Sequence, residues 1–238
     1  MLNTLKKIIK LSPIAFSKNH LYDIQTKKII NNLSTTSNCI DVGCYEGEIL
    51  DLMLNSCPKG FHFGIEPIPI LYHKLAKKYK NHGSCKVFNL AVSDDKGISK
   101  FNYVVTNPSY SGLRKRDYDR PNEKEENISV QIDLLDNLIP KDIEINFIKI
   151  DVEGAEYKVL KGARRIIERY KPIVVFEHGL GASNHYDTSP SDIFNYFNSL
   201  DMQIGTLDNY LKNRDPLSAE SFSTQYFEKI NYYFIAYP

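Results

Sequence analysis

The sequence has almost no net charge: 30 lysines and arginines stand against 29 aspartates and glutamates, a formal balance of +1. That excludes the global basic excess that drives binding to nucleic acid or acidic membranes. There is no run of 18 apolar residues, so no spanning helix is expected. Cysteine is sparse. Cys39, Cys44, Cys57 and Cys85 form no C-x-x-C pair, and no histidine stands at a zinc-finger spacing from them. A structural zinc site therefore lacks its usual signature, and reduced, mostly buried thiols in a cytoplasmic chain are the expectation. The opening residues, MLNTLKKIIKLSPIAF, lack the sustained apolar stretch of a signal peptide. No internal repeat is present. What is there is ordinary for a globular chain: 238 residues, 42% apolar and 25% charged, enough for one well-packed α/β core.

Residues 1–37 read as a helical extension. Leu2, Leu5, Ile8 and Ile9 recur at helical spacing between Lys6, Lys7 and Lys10, and a second helix is expected from about Leu21 to Leu33. From residue 38 to 238 short apolar runs alternate with helical patterns. Strands are expected at Cys39–Val42, Phe61–Ile65, Lys86–Val92, 145–150 and Ile173–Glu177, with two more near Met202–Leu207 and Asn231–Tyr237. Helices are expected at Glu46–Asn55, Pro67–Lys80, Ala155–Tyr170 and Ser191–Leu200. Continuous apolar strands alternating with helices indicate an α/β fold with a mostly parallel sheet covered on both faces. The last two strands have no long helix between them and could pair antiparallel. Residues 93–144 break the alternation: two strand-like runs, ISKFNYVV and ISVQI, flank the polar loop TNPSYSGLRKRDYDRPNEKEEN. This insertion is read as a lid or a solvated excursion.

Four signals carry chemistry. Asp41-Val42-Gly43-Cys44-Tyr45-Glu46-Gly47 ends a strand and opens a helix. There glycine allows close approach to the backbone and the helix start presents unpaired amides. Glu66 follows the second strand, where a carboxylate can accept from both hydroxyls of a ribose. Together they indicate a nucleoside-containing ligand outside the carboxyl ends of the strands. Tyr45 interrupts the G-x-G-x-x-G pattern of a dinucleotide site, and Asp41 would repel a pyrophosphate but suit an ammonium and a sulfonium. In KIDVEGAE the strand delivers Asp151 to the same edge, and Lys149, two residues before it, shares its face and needs an acid partner. Glu153 and Glu156 fall near the next helix start, with Glu156 read as structural. Finally, Glu177-His178-Gly179 ends another strand: the histidine can serve as a base near neutral pH or be a solvated loop residue. Glu177 could orient it, bind substrate, or share a divalent cation with Asp151, for which oxygen ligands suit magnesium rather than zinc. No ligand set is assigned to a metal.

The chain resembles the FkbM family of class I S-adenosylmethionine-dependent methyltransferases. The likeness rests on IDVGCYEG (Ile40 to Gly47), GIEPIP (Gly64 to Pro69), NLAVSDDKG (Asn89 to Gly97), FIKIDVEGAEYKVLKGA (Phe147 to Ala163) and KPIVVFEH (Lys171 to His178), in family order. It implies a Rossmann-like, seven-stranded sheet with an antiparallel C-terminal strand, and O-methylation of a hydroxyl on a sugar, glycan precursor or related metabolite. Asp41, Gly43 and Gly47 would then hold the methionine part of S-adenosylmethionine, with Tyr45 packing over the cofactor or crowding it, Glu66 the ribose, and Asn89, Ala91 and Val92 would lie near the adenine, mostly through backbone and packing. Asp151 would stand beside the transferring methyl, with Glu177 and His178 lining the acceptor pocket. Asp151 or His178 would take the hydroxyl proton. Cys44 and Tyr45 depart from the family's D-x-G-A-N-x-G loop. The acceptor is expected to touch Glu153, Ser111 and Arg114, and the arginines of the 106–121 loop would suit a phosphate on it. A non-catalytic scaffold that keeps the fold, and a nicotinamide enzyme, remain as alternatives. No nucleic-acid partner is expected, and sixteen tyrosines leave room for an aromatic homo-oligomer interface.

Overall fold

The computed structural model describes residues 14–238. The apolar stripe of Leu2 to Ile9 lies outside them. Seven strands form the main sheet: β1 (Cys39–Val42), β2 (His62–Ile65), β3 (Cys85–Phe88), β7 (Phe147–Ile150), β8 (Ile173–Glu177), β9 (Gln203–Thr206) and β10 (Tyr233–Tyr237). Their order is β3-β2-β1-β7-β8-β10-β9. The pairs from β3 to β8 are parallel, and β10 runs antiparallel to both β8 and β9. Among the described residues no helix is long and apolar enough to cross a membrane.

The apolar runs are continuous because both faces of the sheet are buried, and the period of two divides each run between them. Ile40, Val42, Ile148, Ile150, Val174, Phe176 and Phe234 pack on one face, with Val159, Ile166 and Phe222 from the covering helices. Cys39, Phe147, Val175 and Ile235 pack on the other, under Ile29 and Ile30 of the helix Lys18–Asn31 and Leu50 and Met53 of the helix Glu48–Ser56. The N-terminal helix is thus part of the second core layer. All four cysteines are free, three of them buried.

Two expectations change. The strand expected over Lys86–Val92 breaks at Asn89 and Leu90: Cys85–Phe88 stays in the main sheet, while Ala91–Val92 becomes β4 of a second sheet. Asn89 makes the break, its Nδ2 donating to the carbonyls of Glu66 and Pro67 at 2.9 and 3.0 Å. The 93–144 segment supplies the rest of that sheet, β5 (Gly97–Val104) and β6 (Glu125–Asp133), paired antiparallel over eight residues. The single helix expected over Ala155–Tyr170 is two, Glu156–Gly162 and Arg164–Tyr170. Three further helices, Leu135–Leu138, Leu207–Leu211 and Ala219–Phe227, are not among the expected elements.

Candidate active site

Strand register builds the site. Asp41 lies beside Lys149 across β1 and β7, and Tyr233 beside Glu177 across β10 and β8. By the period of two, Asp41, Lys149, Asp151, Glu177 and Tyr233 belong to the face that carries Cys39, Phe147, Val175 and Ile235. They therefore form one polar row at the carboxyl ends of the parallel strands, under the N-terminal helix. Because β10 is antiparallel, its first residue, not its last, reaches that edge.

The row is densely bonded. Lys149 Nζ and the Tyr233 hydroxyl both donate to Asp151 Oδ2, at 2.9 and 2.5 Å. Burial works against the Lys149 charge, yet Asp151 and Asp41 hold its pKa above the usual range. Burial raises the Asp151 carboxyl, but Lys149 and the Tyr233 hydroxyl outweigh it and keep its pKa below the usual value. Glu177 goes the other way, well above the carboxylate range, because it is buried among Glu153 and Asp151. Ligand oxygens of Asp151, Glu153 and Glu177 lie within 4.8 Å of one another. Asp41 is 1% exposed, and its Oδ1 has no hydrogen-bond partner. Burial pushes it up to about 6, opposed by Lys149.

The loop after β1 turns through three left-handed residues, Gly43 (φ +82°), Tyr45 (φ +47°) and Gly47 (φ +79°). Tyr45 stands where the family loop has asparagine, the side chain that tolerates this conformation best after glycine. Its amide donates to Glu66 Oε2 and the Ile68 amide to Oε1, both at 2.9 Å. Glu66 is thus clamped by two backbone donors while burial pushes it up to about 7.

Three crevices open on this edge. One brings together Gly43, Tyr45, Glu66, Ala91, Val92 and Ser111. Another brings Asp41, Gly43, Tyr45 and Lys149. The third contains Glu177 and Arg116. Asp151 and Glu153 line all three.

Four expected residues lie elsewhere. Gly47 faces Leu75 and Tyr79, where a Cβ would come within 2.8 and 2.5 Å, and starts the helix Glu48–Ser56. The Asn89 amide is spent on the two carbonyls named above. Arg114 is drawn away by the His185 carbonyl at 2.5 Å and by Asp187 at 3.4 Å, and Arg116, paired with Glu153, takes its place in the crevice. His178 neither lines an acceptor pocket nor faces solvent. As the neighbour of Glu177 it falls on the opposite face, 1% exposed and stacked on Tyr226 at 4.6 Å and Phe222 at 5.9 Å. Glu156 has the structural role expected, its Oε1 accepting from the amides of Val152 and Gly154 at 3.1 and 3.0 Å.

Burial pushes His178 down to about 4 from the usual 6.5. Below about pH 6.5 the unfolded chain takes a proton that the folded chain refuses until about pH 4, so stability falls as pH falls through that window. At pH 5 the loss is about 2 kcal/mol. His178→Phe removes it, so the variant gains on the wild type by that amount between pH 7.5 and 5 in urea denaturation. The raised carboxyls contribute alike to both chains and cancel. Equal pH slopes would mean that His178 is not held neutral.

The sequence matches the Methyltransferase FkbM domain over residues 41–214. The chain belongs to the FkbM methyltransferase family. No curated protein sequence matches it. Among solved structures, methyltransferase FkbM from Methylobacillus flagellatus KT is similar to it, with a TM-score of 0.54 at 17% identity. That match covers 99% of this chain and 58% of the other, so this FkbM chain spans little more than half the length of that relative. A SAM-dependent methyltransferase from Aquifex aeolicus aligns with a TM-score of 0.41 at 13% identity, over 99% of this chain and 96% of the other. Aeropyrum pernix fibrillarin, in complex with natively bound S-adenosyl-L-methionine, aligns with a TM-score of 0.46 at 10% identity, over 90% and 74%. The seven-stranded, mostly parallel sheet with antiparallel pairing at its C-terminal strand is the one that the FkbM resemblance implied.

Proposed function

We propose that the chain is an S-adenosylmethionine-dependent O-methyltransferase that acts on a hydroxyl of a sugar, glycan precursor or related small metabolite. The observation that carries this reading is the convergence of Asp41, Glu66 and Asp151 on connected crevices at one sheet edge. The residues present fit the cofactor. A buried carboxylate with an unpartnered oxygen, Asp41, suits the ammonium of its amino-acid part. Glu66, held in place by two amides, suits a ribose diol. Ala91, Val92 and Phe101 give an apolar wall for the base. Residues 38–238 would form the methyltransferase domain and residues 1–37 its helical extension.

When bound, the cofactor would supply an electrophilic methyl carbon on a sulfonium, with a neutral thioether as the leaving group. The task of the chain is alignment and exclusion of water. Asp151 is the carboxylate of the polar row held below its usual pKa, with Lys149 and Tyr233 on its Oδ2 and Glu177 hydrogen-bonded to it as well. It is placed to take the acceptor's hydroxyl proton as the new oxygen–carbon bond forms. Glu177, its pKa raised by burial beside Glu153 and Asp151, stands next to it and orients the acceptor.

Calorimetric titration with S-adenosylmethionine and S-adenosylhomocysteine tests the cofactor half of this reading. Saturable binding is expected, and Glu66→Ala is expected to weaken it about 10- to 100-fold, the cost of leaving a buried diol without its acceptor. Binding of neither compound, with or without saccharide added, would favour a scaffold that keeps the fold.

A further inference from the structure

Tyr22 and Tyr233 both lie outside the matched residues 41–214, yet they form a wall shared by two of the three crevices. The two rings stack, with centroids 5.1 Å apart and planes 25° from parallel. One end of this pair touches the polar row: the Tyr233 hydroxyl donates to Asp151 Oδ2 at 2.5 Å. Lys149 holds the same oxygen at 2.9 Å from Asp151's own stretch of chain. Tyr233 holds it from β10, on the far side of β8, and so ties the carboxylate to a separate part of the sheet.

A tyrosine hydroxyl is placed by two torsions, and the second is broad unless packing fixes it. Tyr22 supplies that packing on one face of the Tyr233 ring. It is itself firmly held. Tyr22 is 4% exposed, and its hydroxyl donates to Asn231 Oδ1 at 2.8 Å and accepts from the Tyr232 amide at 3.4 Å. Asn231 Nδ2 donates in turn to Gln225 Oε1 at 2.7 Å. The Tyr232 ring meets Tyr22 edge-on at 4.9 Å, and the Tyr232 hydroxyl donates to Asn19. Further along the same helix, Ile29 and Ile30 are anchored in the core, and at its start Lys18 Nζ reaches the Ile230 carbonyl at 2.7 Å. Aromatic pairs fill space in many cores. This one runs from a core-anchored helix to the carboxylate at the centre of the site.

The geometry points to Tyr22 and Tyr233 as positioning residues: through two stacked rings and one hydroxyl, the N-terminal helix holds the Asp151 carboxylate in place for the reaction. This rests on the methyl-transfer reading above, which sets the reaction at Asp151. Neither tyrosine is asked to touch the acceptor. Tyr233 acts through Asp151, and Tyr22 acts through Tyr233.

The full chain, labelled with 13C in its tyrosine and aspartate side chains, is followed by NMR at pH 7 without ligand. The Tyr233 hydroxyl proton, identified by its loss in Tyr233→Phe, is expected as a downfield, slowly exchanging resonance. Tyr22→Leu keeps much of the volume but not the flat face, and is expected to speed that exchange about tenfold, the worth of a good aromatic pair. Tyr22→Phe keeps the ring and is expected to stay within about twofold of wild type. The Asp151 Cγ resonance, identified by its loss in Asp151→Asn, is expected to move in the same direction in Tyr233→Phe and Tyr22→Leu, further in the former. Ile29→Ala empties core space under the same helix and is expected to lower Tm without moving either signal. A Tyr233 hydroxyl that exchanges freely in the wild type, Tyr22→Phe acting like Tyr22→Leu, Tyr22→Leu leaving both signals in place, or Ile29→Ala moving them as far would each overturn the proposal. If S-adenosylmethionine fails to bind in calorimetry, the methyl-transfer reading falls, while these signals still decide whether Tyr22 holds Asp151 through Tyr233.

Discussion

Asp151→Asn is expected to lower turnover about 10²- to 10⁴-fold, the usual worth of a positioned base, while S-adenosylhomocysteine binding stays within a few-fold of wild type. The amide keeps the shape of the carboxylate but cannot take a proton. It also meets two donors, Lys149 Nζ and the Tyr233 hydroxyl, that now share a weaker acceptor. Single-turnover methyl transfer under saturating cofactor isolates the chemical step from product release. Turnover within threefold of wild type would move the proton to another group of the row, with Glu153 the next to test.

Gly43→Ala is the change with the largest expected cost to the fold. A Cβ there would lie 2.0 Å from the Asp151 carbonyl oxygen, and the residue sits at φ +82°. Both sides of the clash are backbone, so neither can swing aside, and the left-handed conformation adds its own strain. A loss of at least about 3 kcal/mol is expected, seen as a fall in Tm of about 6–12 °C for a chain this size. Gly83→Ala is the control, since a Cβ there meets nothing within 4 Å. Equal melting of the two variants would show that β1 and β7 can part without cost.

Much of this was legible in the residues, for a physical reason. Strands buried on both faces are written as unbroken apolar runs, so β1, β7 and β8 read almost to the residue. The parallel arrangement then sends Asp41, Glu66 and Asp151 to one edge without any need for side-chain detail. Tyr22 and Tyr233 were not legible as site residues. They are separated from Asp151 by more than 80 residues, and only the antiparallel register of β10 brings Tyr233 opposite Glu177. Arg116 rather than Arg114 enters the crevice because the loop is irregular, with no period to say which of two arginines turns inward. His178 differs: the alternation of a strand already places it on the face away from Glu177, and applying the period of two through the end of β8 would have removed it. Asn89 is a subtler case: its side-chain amide is taken locally by the carbonyls of Glu66 and Pro67.

The position of β10 between β8 and β9 has a consequence for synthesis. β9 touches the sheet only through β10, yet it leaves the ribosome some thirty residues earlier. Emerging at roughly 5–20 residues per second, β9 waits seconds beside an incomplete edge, and the strand that admits it also carries Tyr233 to Asp151 and gives Tyr22 its stacking partner. The nascent chain therefore assembles the Asp41–Glu66 end first and gains the Tyr22–Tyr233 wall in the same late event that closes the sheet.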